Sequence, residues 1–141
     1  MGEQHISRQG RLVMPDEECI NDPTISNDEI LWRYVHSNQL CTDQKTGRIK
    51  PQSGVFRDTR MSVDVASQTT LENARARNPE KFIAQFKAAY IREVGKNASQ
   101  LIDPDPQNPA HATICPKLSP SEAKKISVSE DVWILAPPEP T

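Results

Sequence analysis

Glycine, cysteine and aromatic residues are all scarce in this sequence, and each shortage closes off a class of chemistry. Its 141 residues include five glycines, none in a G-x-G-x-x-G, G-x-x-x-x-G-K or G-x-S-x-G arrangement. A phosphate-cradling loop and a nucleophile elbow both need such glycines, which let bare backbone approach a ligand or turn sharply. The three cysteines stand far apart at 19, 41 and 115, with no C-x-x-C pair. That spacing argues against a zinc ribbon or a disulfide framework and predicts reduced thiols. Aromatics make up 5% and apolar residues 35%, low for a globular domain but above the disordered range. No apolar run approaches the ~20 residues of a membrane span, and residues 1–18 lack the apolar centre of a signal peptide. The expected setting is soluble and cytoplasmic, without membrane contact. Seventeen basic against nineteen acidic residues leave a net charge of −2, which exerts no general pull on nucleic acid.

What the chain does have is one well-patterned stretch. Met61-Ser62-Val63-Asp64-Val65 alternates apolar and short polar residues, as a half-buried strand requires. With Met61, Val63 and Val65 facing the core, Ser62 and Asp64 project together from the other face. The twelve prolines gather in the flanks and in one loop, which predicts a compact centre. Residues 1–25 read as a flexible arm with an edge strand near Arg11–Met14, and 137–141 as a proline-rich tail. Residues 26–136 read as a single α+β domain, with a mostly antiparallel sheet and two or three short helices.

Within that domain the local signals compete. Ser26-Asn27-Asp28-Glu29 has the spacing of a capping box, yet Ile30–Val35 is rich in β-branched and aromatic residues and runs into His36-Ser37-Asn38, a turn-like cluster. A strand is favoured there, with Leu31, Arg33 and Val35 on one face and Trp32 and Tyr34 on the other. Residues 38–53 read as a polar loop, punctuated by Thr46-Gly47 and Pro51. A short helix is predicted over 70–77, and another from the Ser119-Pro120-Ser121-Glu122 capping box to about Ser127. Strands are predicted over Ala110–Cys115 and Asp131–Leu135. Phe82–Val94 admits two readings. Either Phe82, Phe86, Tyr90 and Val94 mark one helix behind Asn78-Pro79, or 82–87 is a strand, 88–94 a helical turn and Gln100–Asp103 a second strand.

Five segments together resemble a group of small bacterial proteins: LWRYV at 31–35, QSGVF at 52–56, MSVD at 61–64, NPAHA at 108–112 and VWILAPP at 132–138. The resemblance spans roughly residues 30–138, and NPAHA is its most specific piece. It implies a compact α+β domain of bacterial or phage origin and the strand–turn–strand reading of 82–103, without implying an activity. Gly54 stands where that group usually has a second serine, which counts against Ser53 as a nucleophile.

Four residues are candidates for chemistry. Arg33 sits in an otherwise apolar strand, and a buried guanidinium without partners costs several kcal/mol. It therefore calls for an anion, either a ligand phosphate or an internal acid such as Asp64. His111 lies between two alanines beyond the proline-stiffened loop 103–109. It is placed to act as a base or phosphate donor, or simply to tie that loop to a backbone carbonyl. Ser62, Asp64 and His111 are the pieces of a Ser/His/Asp set, although a serine and an aspartate two apart on one strand face cannot readily orient a shared histidine. No ligand spacing supports a metal, the residues leave any cofactor unknown, and Cys41 and Cys115 read equally well as small buried hydrophobes or as nucleophiles. Arg33, Phe56 and Ser62 bear a loose fold-level similarity to ADP-ribosyltransferase-like folds, which implies nucleotide binding, but their catalytic glutamate has no counterpart here. Arg48, Lys50, Arg57 and Arg60 form the local basic stretch that RNA binding would need. The leading expectation is an accessory protein that binds a partner protein. The alternative is a nucleotide- or phosphate-directed enzyme using Arg33, Ser62 and His111.

Overall fold

The alternating run at 61–65 is extended and lies in the middle of a sheet. The computed structural model describes residues 22–57, 61–94, 108–115 and 117–137, together with the backbone of 5–6, 12–13 and 97–100. Its strands are β1 (His5–Ile6), β2 (Leu12–Val13), β3 (Ile30–Val35), β4 (Leu40–Thr42), β5 (Ile49–Pro51), β6 (Met61–Val65), β7 (Phe82–Lys87), β8 (Asn97–Gln100), β9 (His111–Cys115) and β10 (Trp133–Leu135). Among the described residues the α-helices are α1 (Leu71–Arg77), α2 (Ala88–Glu93) and α3 (Pro120–Ser127). Six strands form the main sheet in the order β10-β7-β3-β6-β9-β8, every pairing antiparallel. The chain is a single α+β domain with a mostly antiparallel sheet, as its pattern predicts. The arm and the tail lie largely outside the described residues, apart from the short β1–β2 pair.

Pairing decides the contested segments. Ile30–Val35 is a strand despite the capping-box spacing before it, because β6 and β7 flank it and Leu31 and Val35 are fully buried between them. Phe82–Glu93 follows the second reading, a strand running directly into a short helix. Asn78 closes α1 instead of opening a helix at Pro79. A spacing of four is even, so Phe82 and Phe86 fall on one side of a strand as readily as on one side of a helix. The next strand is Asn97–Gln100, earlier than expected; 101–103 lie outside the described residues. The predicted helix starts hold: the Thr70 hydroxyl accepts from the Asn73 amide, and Ser119 and Glu122 cap each other's backbone.

The polar loop over 38–53 is a correction. It folds as a hairpin in which β4 pairs with β5, Leu40 opposite Pro51 and Thr42 opposite Ile49. Gly47 supplies the positive φ of 72° that the turn demands. Pro51 is the last residue of β5, and the strand ends there. The strand is tied down at that point, because the Ser127 hydroxyl donates to the Pro51 carbonyl at 2.6 Å.

Directly opposed residues share a face of an antiparallel sheet, so the register sorts the side chains. One face carries Leu31, Val65, Val63, Ala112 and Phe86 and meets α2, α3 and the 3-10 turn at 53–56 in one apolar core. Phe56 from that turn packs edge-on to Phe86, ring centres 6.1 Å apart. The other face carries a continuous row across five strands: Trp133, Gln85, Trp32, Asp64 and His111. Helix α1 lies over that face, with the Tyr34 hydroxyl donating to the Ala74 carbonyl at 2.7 Å.

Candidate interaction surface

Ser62, Asp64 and His111 do share a sheet face, and Asp64 is the direct cross-strand partner of His111. Ser62 is exposed, but Asp64 is only 4% exposed, so the pair is not presented together to solvent. The reason is tertiary. Arg77, at the end of α1, donates to Asp64 Oδ2 at 2.7 Å, and Asn108 Nδ2 donates to Oδ1 at 2.9 Å. Both oxygens of this buried side chain are therefore hydrogen-bonded, as burial of a polar group requires. Burial works against the charge of Arg77, but hydrogen bonds to Tyr34 and Asp64, and the attraction of that carboxylate, outweigh it and hold its pKa above the ordinary guanidinium value. The cluster joins α1 and the segment before β9 to the middle of the sheet.

Arg33 belongs to the opposite face. Its Nε donates to the Val55 carbonyl at 2.8 Å and its Nη1 to the Ser62 carbonyl at 2.9 Å. The anion expected for it is thus replaced, at these two donors, by carbonyl oxygens, and the side chain clamps the 53–56 turn against β6. Arg33 cannot act with His111 on one ligand from there, because the sheet lies between them.

A different region of the surface is built for contact. Between the β4–β5 hairpin and the segment joining α3 to β10 runs a groove of about 900 Å³. The large apolar side chains most exposed among the described residues are Trp133 at 58%, Ile49 at 51% and Val128 at 49%, and all three line it. Their exposure follows from position. Val132-Trp133-Ile134-Leu135 is apolar at every step, so a strand made of it offers apolar groups on both faces. One face of an antiparallel sheet can stay open, and on β10, an edge strand, the face that carries Trp133 is left largely uncovered. Arg48 lies over the Trp133 ring, its guanidinium carbon 4.6 Å from the ring centre, and its Nη2 donates to the Val132 carbonyl. Trp133 also walls a smaller cleft of about 320 Å³ beside Tyr90, Glu93 and Asp131.

Sequence reasoning marked Arg48 and Lys50 only as part of a basic stretch; of the others in that stretch, Arg57 does not line the groove and Arg60 lies outside the described residues. Trp133, Ile49 and Val128 were not anticipated. The available signal was the unbroken apolar run 132–135 close to a proline tail, a pattern that an edge strand must partly expose. Charge on the groove is mixed: Arg48 and Lys50 stand on the hairpin with Asp43, and Glu130 and Asp131 face them. That balance does not suit a polyanion.

Cys115 corrects the expectation of reduced thiols. It is buried and disulfide-bonded, its partner lying outside the described residues, while Cys41 is a free thiol. Among the described residues no three His, Cys, Asp or Glu side chains are grouped to hold a metal ion, and no helix is long and apolar enough to cross a membrane. Fold and surface define a small α+β domain with a sealed polar cluster on one side and an open apolar groove at one sheet edge. No family model, curated protein or solved structure matches the chain.

Proposed function

We propose that this protein acts by binding a partner protein through the groove that Trp133 overlooks. One observation carries the reading: Ile49 from the hairpin and Val128 and Trp133 from the α3–β10 segment, some eighty residues away, converge on one groove. Isolated exposed apolar residues are ordinary, but a contiguous patch rimmed by charge is the usual anatomy of a protein contact, with tryptophan its commonest anchor. The mixed charge of the rim favours a protein over RNA. The enzyme alternative gains no support, since two of Arg33's donors are committed to backbone carbonyls and it faces away from His111.

The test uses the full chain as bait, comparing wild type with Trp133→Ala and with His111→Ala. A partner retained by wild type and by His111→Ala, and lost by Trp133→Ala, supports the reading. Turnover of a nucleotide or phosphoester by the purified protein, abolished in His111→Ala without unfolding, would overturn it in favour of the enzyme. Cytoplasmic residence remains an expectation, and the Cys115 disulfide weighs against it because such bonds persist in oxidising compartments. Mass analysis of alkylated, unreduced protein taken from its native cells decides between the two.

A further inference from the structure

We propose that the partner seated in this groove is a second copy of the same chain, related to the first by a twofold axis. The inference rests on the reading of the groove as a protein contact and goes on to name its occupant. In a twofold contact the same patch meets itself, so it must be complementary to itself. A patch of one charge sign fails that requirement. This patch meets it, because its two walls differ in sign. The hairpin wall carries Arg48 and Lys50 against one acid, Asp43, beside the exposed Ile49, a net positive balance; the facing wall carries Glu130 and Asp131 beside the exposed Val128. Among the described residues, Lys50, Glu130 and Asp131 enter no ion pair within the chain. Rotating one copy onto the other sets each hairpin wall against the opposite acidic wall, with Trp133 and the two aliphatic side chains enclosed at the centre. The arrangement buries the apolar trio and pairs charges that are otherwise left to solvent.

Sedimentation velocity on the full chain, run as a dilution series, reads the outcome directly. Wild type should sediment at twice the monomer mass, and Trp133→Ala should sediment as a monomer. Lys50→Glu and Asp131→Lys should each be monomeric alone, since each sets like charges opposite one another twice per dimer. Mixing these two variants restores both attractions, as does combining the two changes in one chain, and both samples should return to the dimer. Circular dichroism of each variant confirms folding. A wild-type monomer throughout the series overturns the proposal but leaves the groove open to a different protein. Dimers that survive Trp133→Ala and both charge reversals place self-association elsewhere and overturn it too. Single variants that dissociate but do not recover on mixing reject the wall-to-wall pairing.

Discussion

The polar cluster around Asp64 and the apolar groove around Trp133 invert the usual placement of side chains. Asp64, which is charged, is almost fully buried, and Trp133, which is apolar, is more than half exposed. Both belong to the same cross-strand row of the sheet. Their difference comes from what lies over each end of that row. At the β6–β9 end, α1 closes down and supplies Arg77, with Asn108 completing the shell, so a carboxylate can be buried at tolerable cost. At the β10 end no further strand follows among the described residues, and the indole stays more than half exposed with Arg48 across one face. Burial of a polar group with all its partners points to structure. Exposure of an apolar group without cover points to contact.

Mutations at the two ends should therefore separate cleanly. The largest effect is expected for Arg77→Ala, which leaves the buried Asp64 carboxylate with Asn108 as its remaining side-chain donor among the described residues and should cost about 3 kcal/mol. A urea or thermal melt measures it, and a loss under about 1 kcal/mol would mean that water reaches the carboxylate and that this end is more open than described. Because the folded-state pKa of Arg77 is raised, its contribution is fully present at neutral pH and is lost only as pH rises into strong alkali. Next, Arg33→Ala should destabilise by about 2 kcal/mol, since two charge-assisted hydrogen bonds disappear and the Val55 and Ser62 carbonyls lose their donor. Full stability in that variant, together with loss of a catalytic activity, would move Arg33 from scaffold to site. The smallest effect on stability should come from Trp133→Ala, within about 1 kcal/mol, the value of a surface position and its stacked arginine. Binding should nevertheless vanish in it. A large stability loss there would make Trp133 part of the fold and remove the contrast.

Much of the sheet was legible because its signals are local. Met61–Val65 alternates, and alternation with period two has one structural meaning when the strand is half covered. Ser119 and Glu122 cap each other over three residues, so α3 is readable from its first turn. The hairpin over 40–51 was hidden because its strands are three residues each, too short to show a period, and the turn between them is polar. Phe82–Glu93 was ambiguous because its aromatic spacing fits both periods, and only the pairing of β7 with β3 and β10 resolves it. The sites were less legible than the elements. Alternation placed Asp64 on the correct face but could not show that Arg77, thirteen residues further on at the end of α1, would cover it.

By itself, then, the amino-acid order determined the α+β character, the strands at 61–65 and 111–115, the starts of α1 and α3, and which side chains of a strand share a face, since these depend on neighbours a few positions apart. It also determined that Arg33 would need partners. Tertiary structure alone decided that those partners include two carbonyls, that Asp64 is sealed in, and that Ile49, Val128 and Trp133 meet at one groove. Burial depends on what the rest of the chain lays across a surface, and no local pattern records that.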